Sequence, residues 1–217
     1  MNLQKHLERA SQALQSGKPD FAAELCDQVL DITPGDQKAA ELLARAALAL
    51  GGKSTLLSRL SAAGGGLAAR FSRLTRNADA EARQSRRAFL KDPADIGKGI
   101  QWADALERAG YAGAALGAFG GLAEKSGEAA KRAGALAAAQ GSVDEALKFY
   151  ERALAANPRD TEAMRARKNL AAEQALRGQR SGRQPASGLD TEAFLRAARG
   201  EPADNDQPSS GQGRRSP

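Results

Sequence analysis

Residues 128 to 158, EAAKRAGALAAAQGSVDEALKFYERALAANP, constrain the chain more than any other stretch, because they specify two helices, the turn between them and the stop after them. Ser142 and Glu145 have the spacing of a capping box, in which each side chain satisfies a free backbone N–H at a helix start, and Gly141 supplies a permissive turn residue just before it. One helix is expected to end near Gln140 and another to begin near Val143. In that second helix Ala146, Leu147, Tyr150, Ala153 and Leu154 recur at i, i+1, i+4, i+7 and i+8, which gathers them on one face, and Pro158 forbids continuation. Gly134, Ala138 and Ala146 are small enough to let the paired helices approach closely.

These residues resemble the tetratricopeptide repeat (TPR), the matching positions being Gly134, Gly141, Ala146, Tyr150, Ala153 and Pro158. The resemblance implies an antiparallel helical hairpin stacked in an array, and a protein-binding scaffold as its use. The same pattern returns elsewhere. Near the N-terminus a helix ends at about Ser16, Gly17 breaks it, Pro19 stands at a helix start and Pro34 stops it; Ala22, Cys26, Val29 and Leu30 repeat the spacing of Ala146, Tyr150, Ala153 and Leu154. A third copy runs through Ala103, Leu106, Gly110, Ala115, Phe119 and Leu122, with a weakened second helix because Gly113, Gly117, Gly120 and Gly121 each cost about 0.5–1 kcal/mol relative to Ala. Trp102 in this copy is expected to be a core or inter-repeat contact rather than a ligand-stacking platform.

A fourth hairpin is split. Residues 37–50 make a first helix and residues 78–91 a second one before Asp92 and Pro93, but the span from Pro34 to Pro93 exceeds one repeat of about 34 residues by about 25. The excess falls at residues 52–76, an insertion in the turn. After the last hairpin Asp160 can cap a helix through Met164, Leu170 and Leu176 that ends near Arg177 at Gly178. The expected fold is thus all-α: a TPR-like α-solenoid of about four antiparallel hairpins plus a capping helix. Its segments are 1–51, the insertion 52–76, 77–178, and a Gly/Ser/Gln/Arg/Pro-rich tail at 179–217 that is expected to be disordered apart from a short helix at 190–199. Forty-eight alanines and only nine aromatic residues agree with an all-α chain and make its core thin.

Little here supports catalysis. Cys26 is the only cysteine and is expected to be a small buried hydrophobe, and His6, the only histidine, sits among charges near the terminus. No metal, cofactor or catalytic set is expected, and the chain is read as no enzyme. GGKST at residues 51–55 has the end of a phosphate-binding loop, but Ala47 stands where its first glycine is required and an alanine-rich helix stands where a strand is required. The first residues carry Lys5, His6, Glu8 and Arg9 and no apolar run, so a cytoplasmic location is expected.

Two surfaces remain as candidates. In TPR arrays the first helix of each hairpin lines the concave face, which by resemblance makes Asp104, Glu107, Arg108, Glu128, Lys131, Arg165 and Asn169 the candidate contacts for a protein or peptide partner, against the plainer reading of a solvated charged face. Arg165 and Asn169 also resemble the first two members of the clamp by which some TPR domains hold a C-terminal carboxylate; the later members would need further repeats. The second candidate is the insertion. Residues 51–91 carry a net charge of +7, while residues 1–50 and 92–160 each carry −2. Lys53, Arg59, Arg70, Arg73 and Arg76 stand there with no acid between 52 and 76, and Leu67, Phe71 and Leu74 form an apolar line beside them, the pattern of a basic amphipathic helix. That pattern suits an anionic membrane surface or a partner groove, or else a plain loop packed on its own array. A single aromatic residue argues against nucleic acid. Function is therefore expected to be a non-catalytic scaffold or adaptor working through the concave face, with a peripheral membrane or polyanion adaptor as the alternative.

Overall fold

The computed structural model describes residues 2–51 and 78–182, with side chains to 176. All elements among the described residues are helices: α1 (Leu3–Gln15), α2 (Pro19–Ile32), α3 (Gln37–Leu50), α4 (Ala78–Lys91), α5 (Ile96–Arg108), α6 (Ala112–Leu122), α7 (Gly127–Ala139), α8 (Val143–Ala156) and α9 (Thr161–Gly182). The insertion at 52–76 and the short helix expected at 190–199 lie outside the described residues. Helices α1 to α8 lie wholly within one compact unit that extends to Gln174.

The repeat is written into the turns. Gly17, Gly110 and Gly141 take φ of 70, 83 and 78°, a region from which a Cβ is largely excluded. Behind each, the next residue's N–H reaches back to a carbonyl five residues earlier: Lys18 to Ala13, Tyr111 to Leu106 and Ser142 to Ala137. This is the Schellman closure, and it joins α1 to α2, α5 to α6 and α7 to α8 in the same way. The first helix of each pair starts differently. Asn2, Asp36, Asp95, Ser126 and Asp160 each accept a backbone N–H at the start of α1, α3, α5, α7 and α9, whereas α2, α6 and α8 begin straight out of the glycine turn with no side-chain cap. The capping box expected at Ser142 and Glu145 is therefore not made; the turn's own backbone bond holds the chain there instead.

Burial follows the expected faces with local shifts. Ala22, Cys26, Val29 and Leu30 are buried on α2, and Ala146, Phe149, Tyr150 and Ala153 on α8, where Phe149 takes the buried place expected for Leu147. Trp102 is buried and stacks on Phe89 of α4 with centroids 6.0 Å apart. Burial pushes the Cys26 thiol up to about 12, with Asp36 and Asp27 adding to the shift, so it is the inert apolar residue expected.

The split hairpin departs from simple stacking. α3 packs on α2 and, most extensively, on α6, while α4 packs on α5. α6 carries no charged residue and is buried nearly all round, from Ala114 to Leu122, so it serves as the hub on which α3, α5 and α7 meet. Its glycines, expected to weaken it, admit α3. A Cβ at Gly121 would stand 2.7 Å from both the Ala44 Cβ and the Glu41 carbonyl oxygen, and one at Gly117 would collide with the Gln37 carbonyl. α4 is fastened across the gap by Arg86, 4 % exposed, whose guanidinium pairs with Asp27 at 2.8 Å and with Asp31, both on α2. Finally, α9 continues past Gly178, since one glycine in a helix interior costs only about 1 kcal/mol.

Candidate functional site

The first helices α5, α7 and α9 carry the candidate partner contacts, and the structure joins most of them through ion pairs that run from helix to helix. Arg132 on α7 donates to Asp104 at 2.7 Å and Glu107 at 3.0 Å on α5. Lys131 on the same helix reaches Asp160 at 3.2 Å and Glu162 at 2.8 Å at the start of α9. Arg108 on α5 reaches Glu81 on α4 at 2.5 Å. Of the seven candidates, Asp104, Glu107, Arg108 and Lys131 thus belong to one ladder and Glu128 shares a cleft with Lys131, while Arg165 and Asn169 stand exposed on α9. Arg132, Asp160 and Glu162 are members that sequence reasoning did not place in the site, although Arg132 directly follows Lys131 and Asp160 is the cap expected for α9.

Backbone signals position these groups. Ser126 caps α7 and fixes where Glu128, Lys131 and Arg132 emerge, and the Asp160 carboxylate accepts the N–H groups of Glu162 and Ala163 while also facing Lys131. The Ala163 N–H, and then Lys131, hold the Asp160 carboxyl below its usual range, although burial opposes them. The bond to Glu162, followed by that to Asp160, raises Lys131 above the usual ammonium range. Arg132 also lies 5.2 Å over the ring of Phe119 on α6, which ties the ladder to the hub helix.

A cleft of about 590 Å³ opens beside this ladder, lined by Gly127, Glu128, Lys131, Arg132, Ala153, Ala156, Asn157, Asp160 and Glu162. Its apolar wall is the end of α8 and its charges come from α7 and α9. A second cleft, of about 460 Å³, lies between α3, α6 and α8 and includes Glu41, Leu116, Gly117, Phe149 and Arg152. No group of His, Cys, Asp and Glu that could hold a metal ion is found among the described residues. The five basic residues of the anionic-surface candidate, Lys53, Arg59, Arg70, Arg73 and Arg76, lie outside the described residues. No helix among the described residues is long and apolar enough to cross a membrane.

The family match agrees with the helix–turn–helix geometry of α7 and α8. The tetratricopeptide repeat family matches residues 127–172, which are α7, α8 and the first half of α9. No curated protein matches the chain. Among solved structures, a thermophilic TPR protein of Thermus thermophilus is similar over 78 % of this chain and 99 % of its own, with 21 % identity and a TM-score of 0.38. Residues 127–172 thus match the tetratricopeptide repeat family, and the same glycine turn recurs at Gly17 and Gly110 to give a tetratricopeptide-like helical repeat.

Proposed function

We propose that the protein is a non-catalytic scaffold that holds a peptide or helix of a partner against the first helices α5, α7 and α9. The observation that carries this reading is the ladder of Asp104, Glu107, Arg132, Lys131, Asp160 and Glu162 beside an open cleft with an apolar wall. These ion pairs are partly exposed and screened by water, so each is worth only about 1 kcal/mol to stability and is readily exchanged for a pair with a ligand. Side chains held by one another in fixed positions give a charged peptide a pre-arranged set of donors and acceptors, and they select register and orientation more than raw affinity. Selection of binders from a displayed random-peptide library on the full chain tests this. Binders should be lost on a Lys131→Glu, Arg132→Glu variant that keeps its helix content, and binders that hold both proteins equally would refute the reading.

A second reading rests on the charge of the insertion, which concentrates five basic side chains within residues 52–76. In it the protein is an adaptor on an anionic membrane surface, each basic group contributing about 1 kcal/mol near such a surface. Co-sedimentation with acidic vesicles, weakening at high salt and abolished by Arg70→Glu with Arg73→Glu, is the expected result. Equal sedimentation of wild type and variant, or none by either, rejects it.

A further inference from the structure

Among the described residues the large apolar side chains left exposed are Phe21 at 49 %, Ile32 at 58 %, Met164 at 43 % and Leu176 at 57 %. Two belong to α2 in the first hairpin and two to α9, the last helix. The two helices also carry opposite charge. α2 contains Asp20, Glu24, Asp27 and Asp31 and no basic residue. Arg86 occupies Asp27 and Asp31, which leaves Asp20 and Glu24 without an ion-pair partner among the described residues. Phe21 and Ile32 stand three helical turns apart, about 16 Å along one side of α2, with Glu24 and Gln28 exposed between them. On α9 the packed side is Ala163, Ala166 and Leu170. Met164 and Lys168 lie on the other side, one turn apart on an i+4 ridge, with Arg165 and Arg167 also exposed and none of the three basic groups ion-paired among the described residues.

We propose that α9 of one copy docks on α2 of a second copy, with Met164 against the Phe21–Ile32 line and Lys168 and Arg165 facing Asp20 and Glu24. Charge decides the pairing. Setting α9 against α9 would bring Arg165 and Lys168 onto their own kind, and setting α2 against α2 would do the same with Asp20 and Glu24, whereas α9 on α2 joins opposite charges around apolar side chains. The contact is heterologous, since each copy contributes two different faces, and it propagates head to tail into short chains or a closed ring. It uses neither Asp104, Glu107, Lys131 nor Arg132, so copies joined in this way would display their first-helix ladders in series. A single helix laid on another lies at the small end of protein interfaces, so the association is expected to be transient and dependent on salt.

Analytical ultracentrifugation of the full chain over a concentration series tests it. The weight-average mass should rise with concentration and fall as salt is added. Phe21→Lys and Met164→Glu each spoil one face at an exposed position, and each alone should self-associate roughly tenfold or more weakly. Mixed together they should recover association, because each keeps the face the other lacks. Glu24→Lys and Lys168→Glu give the same comparison without touching any apolar contact: each weakens association alone and mixing restores it. A protein that stays monomeric at every concentration overturns the proposal. So does self-association unchanged by the variants, or lost in both and not recovered on mixing.

Discussion

Replacing Gly117 by Ala should destabilise the array, while the same change at Gly113, one turn earlier on the same helix, should stabilise it. In both cases the helix gains intrinsic propensity of about 0.8–1.0 kcal/mol. At Gly113 the new Cβ meets nothing nearer than the Gln37 side chain at 3.8 Å, an ordinary van der Waals contact, so most of that gain survives. At Gly117 it collides with the Gln37 carbonyl oxygen and lies 3.0 Å from the carbonyl carbon, and backbone cannot swing aside as a side chain could. α3 would have to move off α6, forfeiting part of the largest helix pairing in the unit. Overpacking of this kind costs about 1–3 kcal/mol, and a backbone clash belongs at the upper end, so the net loss is about 2 kcal/mol. At about 2–4 °C per kcal/mol for a chain of this size, Gly117→Ala should lower the Tm by about 4–8 °C and Gly113→Ala should raise it by about 2–4 °C. Thermal and urea denaturation read this directly, with Trp102, the single tryptophan, buried beside Phe89 as the fluorescent probe. If Gly117→Ala melts at or above the wild type, α3 does not approach α6 through these glycines.

Two further outcomes rest on charge. Arg86→Met should cost about 3–5 kcal/mol by stranding Asp27, and Arg86→Met with Asp27→Asn should recover much of that loss in urea denaturation, because an unpaired buried carboxylate is worse than no pair. Burial, only partly offset by Arg86, raises the Asp27 pKa above its ordinary 3.8, so this group's contribution to stability is present at low pH and is lost as pH climbs through the raised value; Asp27→Asn should remove that part of the pH dependence. Asp160 runs the opposite way. Its pKa is lowered, so its contribution is present above about 3.8 and lost as pH falls through the lowered value, and the protection of the Glu162 and Ala163 amides against exchange should fall at acid pH in the wild type but not in Asp160→Asn.

The elements are legible in the sequence where their causes are local. Gly17, Gly110, Gly141 and Pro34 each act within a few residues, and the helix spans 37–50 and 78–91 read from the sequence agree with α3 and α4 to the residue. Placement through space is what escapes. The partner of α3 cannot be read from the repeat period, because the period says only that one more hairpin should fit. A signal is nonetheless present in Gly113, Gly117 and Gly121, spaced four apart on one side of α6: counted singly they weaken a helix, while taken as a row they open a groove for another backbone. Likewise Pro34, Pro93 and Pro158 are each followed two residues later by an aspartate, and Asp36, Asp95 and Asp160 all cap the next first helix. Only the last is expected from its own surroundings; the other two emerge when the three are compared with one another.

The candidate surface divides along the same line. The rule that first helices line the inner face selects positions by helix register, and it finds Asp104, Glu107 and Lys131, whose register faces the neighbouring first helix. It passes over Arg132, which is turned about 100° from Lys131: Lys131 pairs with Asp160 and Glu162 at the start of α9, whereas Arg132, over Phe119, pairs with Asp104 and Glu107 on α5. An alanine-rich interface is smooth and tolerates sliding of one helix along another, since a methyl group fits nearly as well one turn on. The cross-helix pairs of Arg132 and Lys131 do not tolerate it, because a shift of one turn, about 5.4 Å, would separate every donor from its acceptor. The ladder is thus suited to setting the register of α5, α7 and α9 as well as meeting a ligand, and a ligand that displaces Asp104 and Glu107 from Arg132 would loosen the alignment of the helices that hold it.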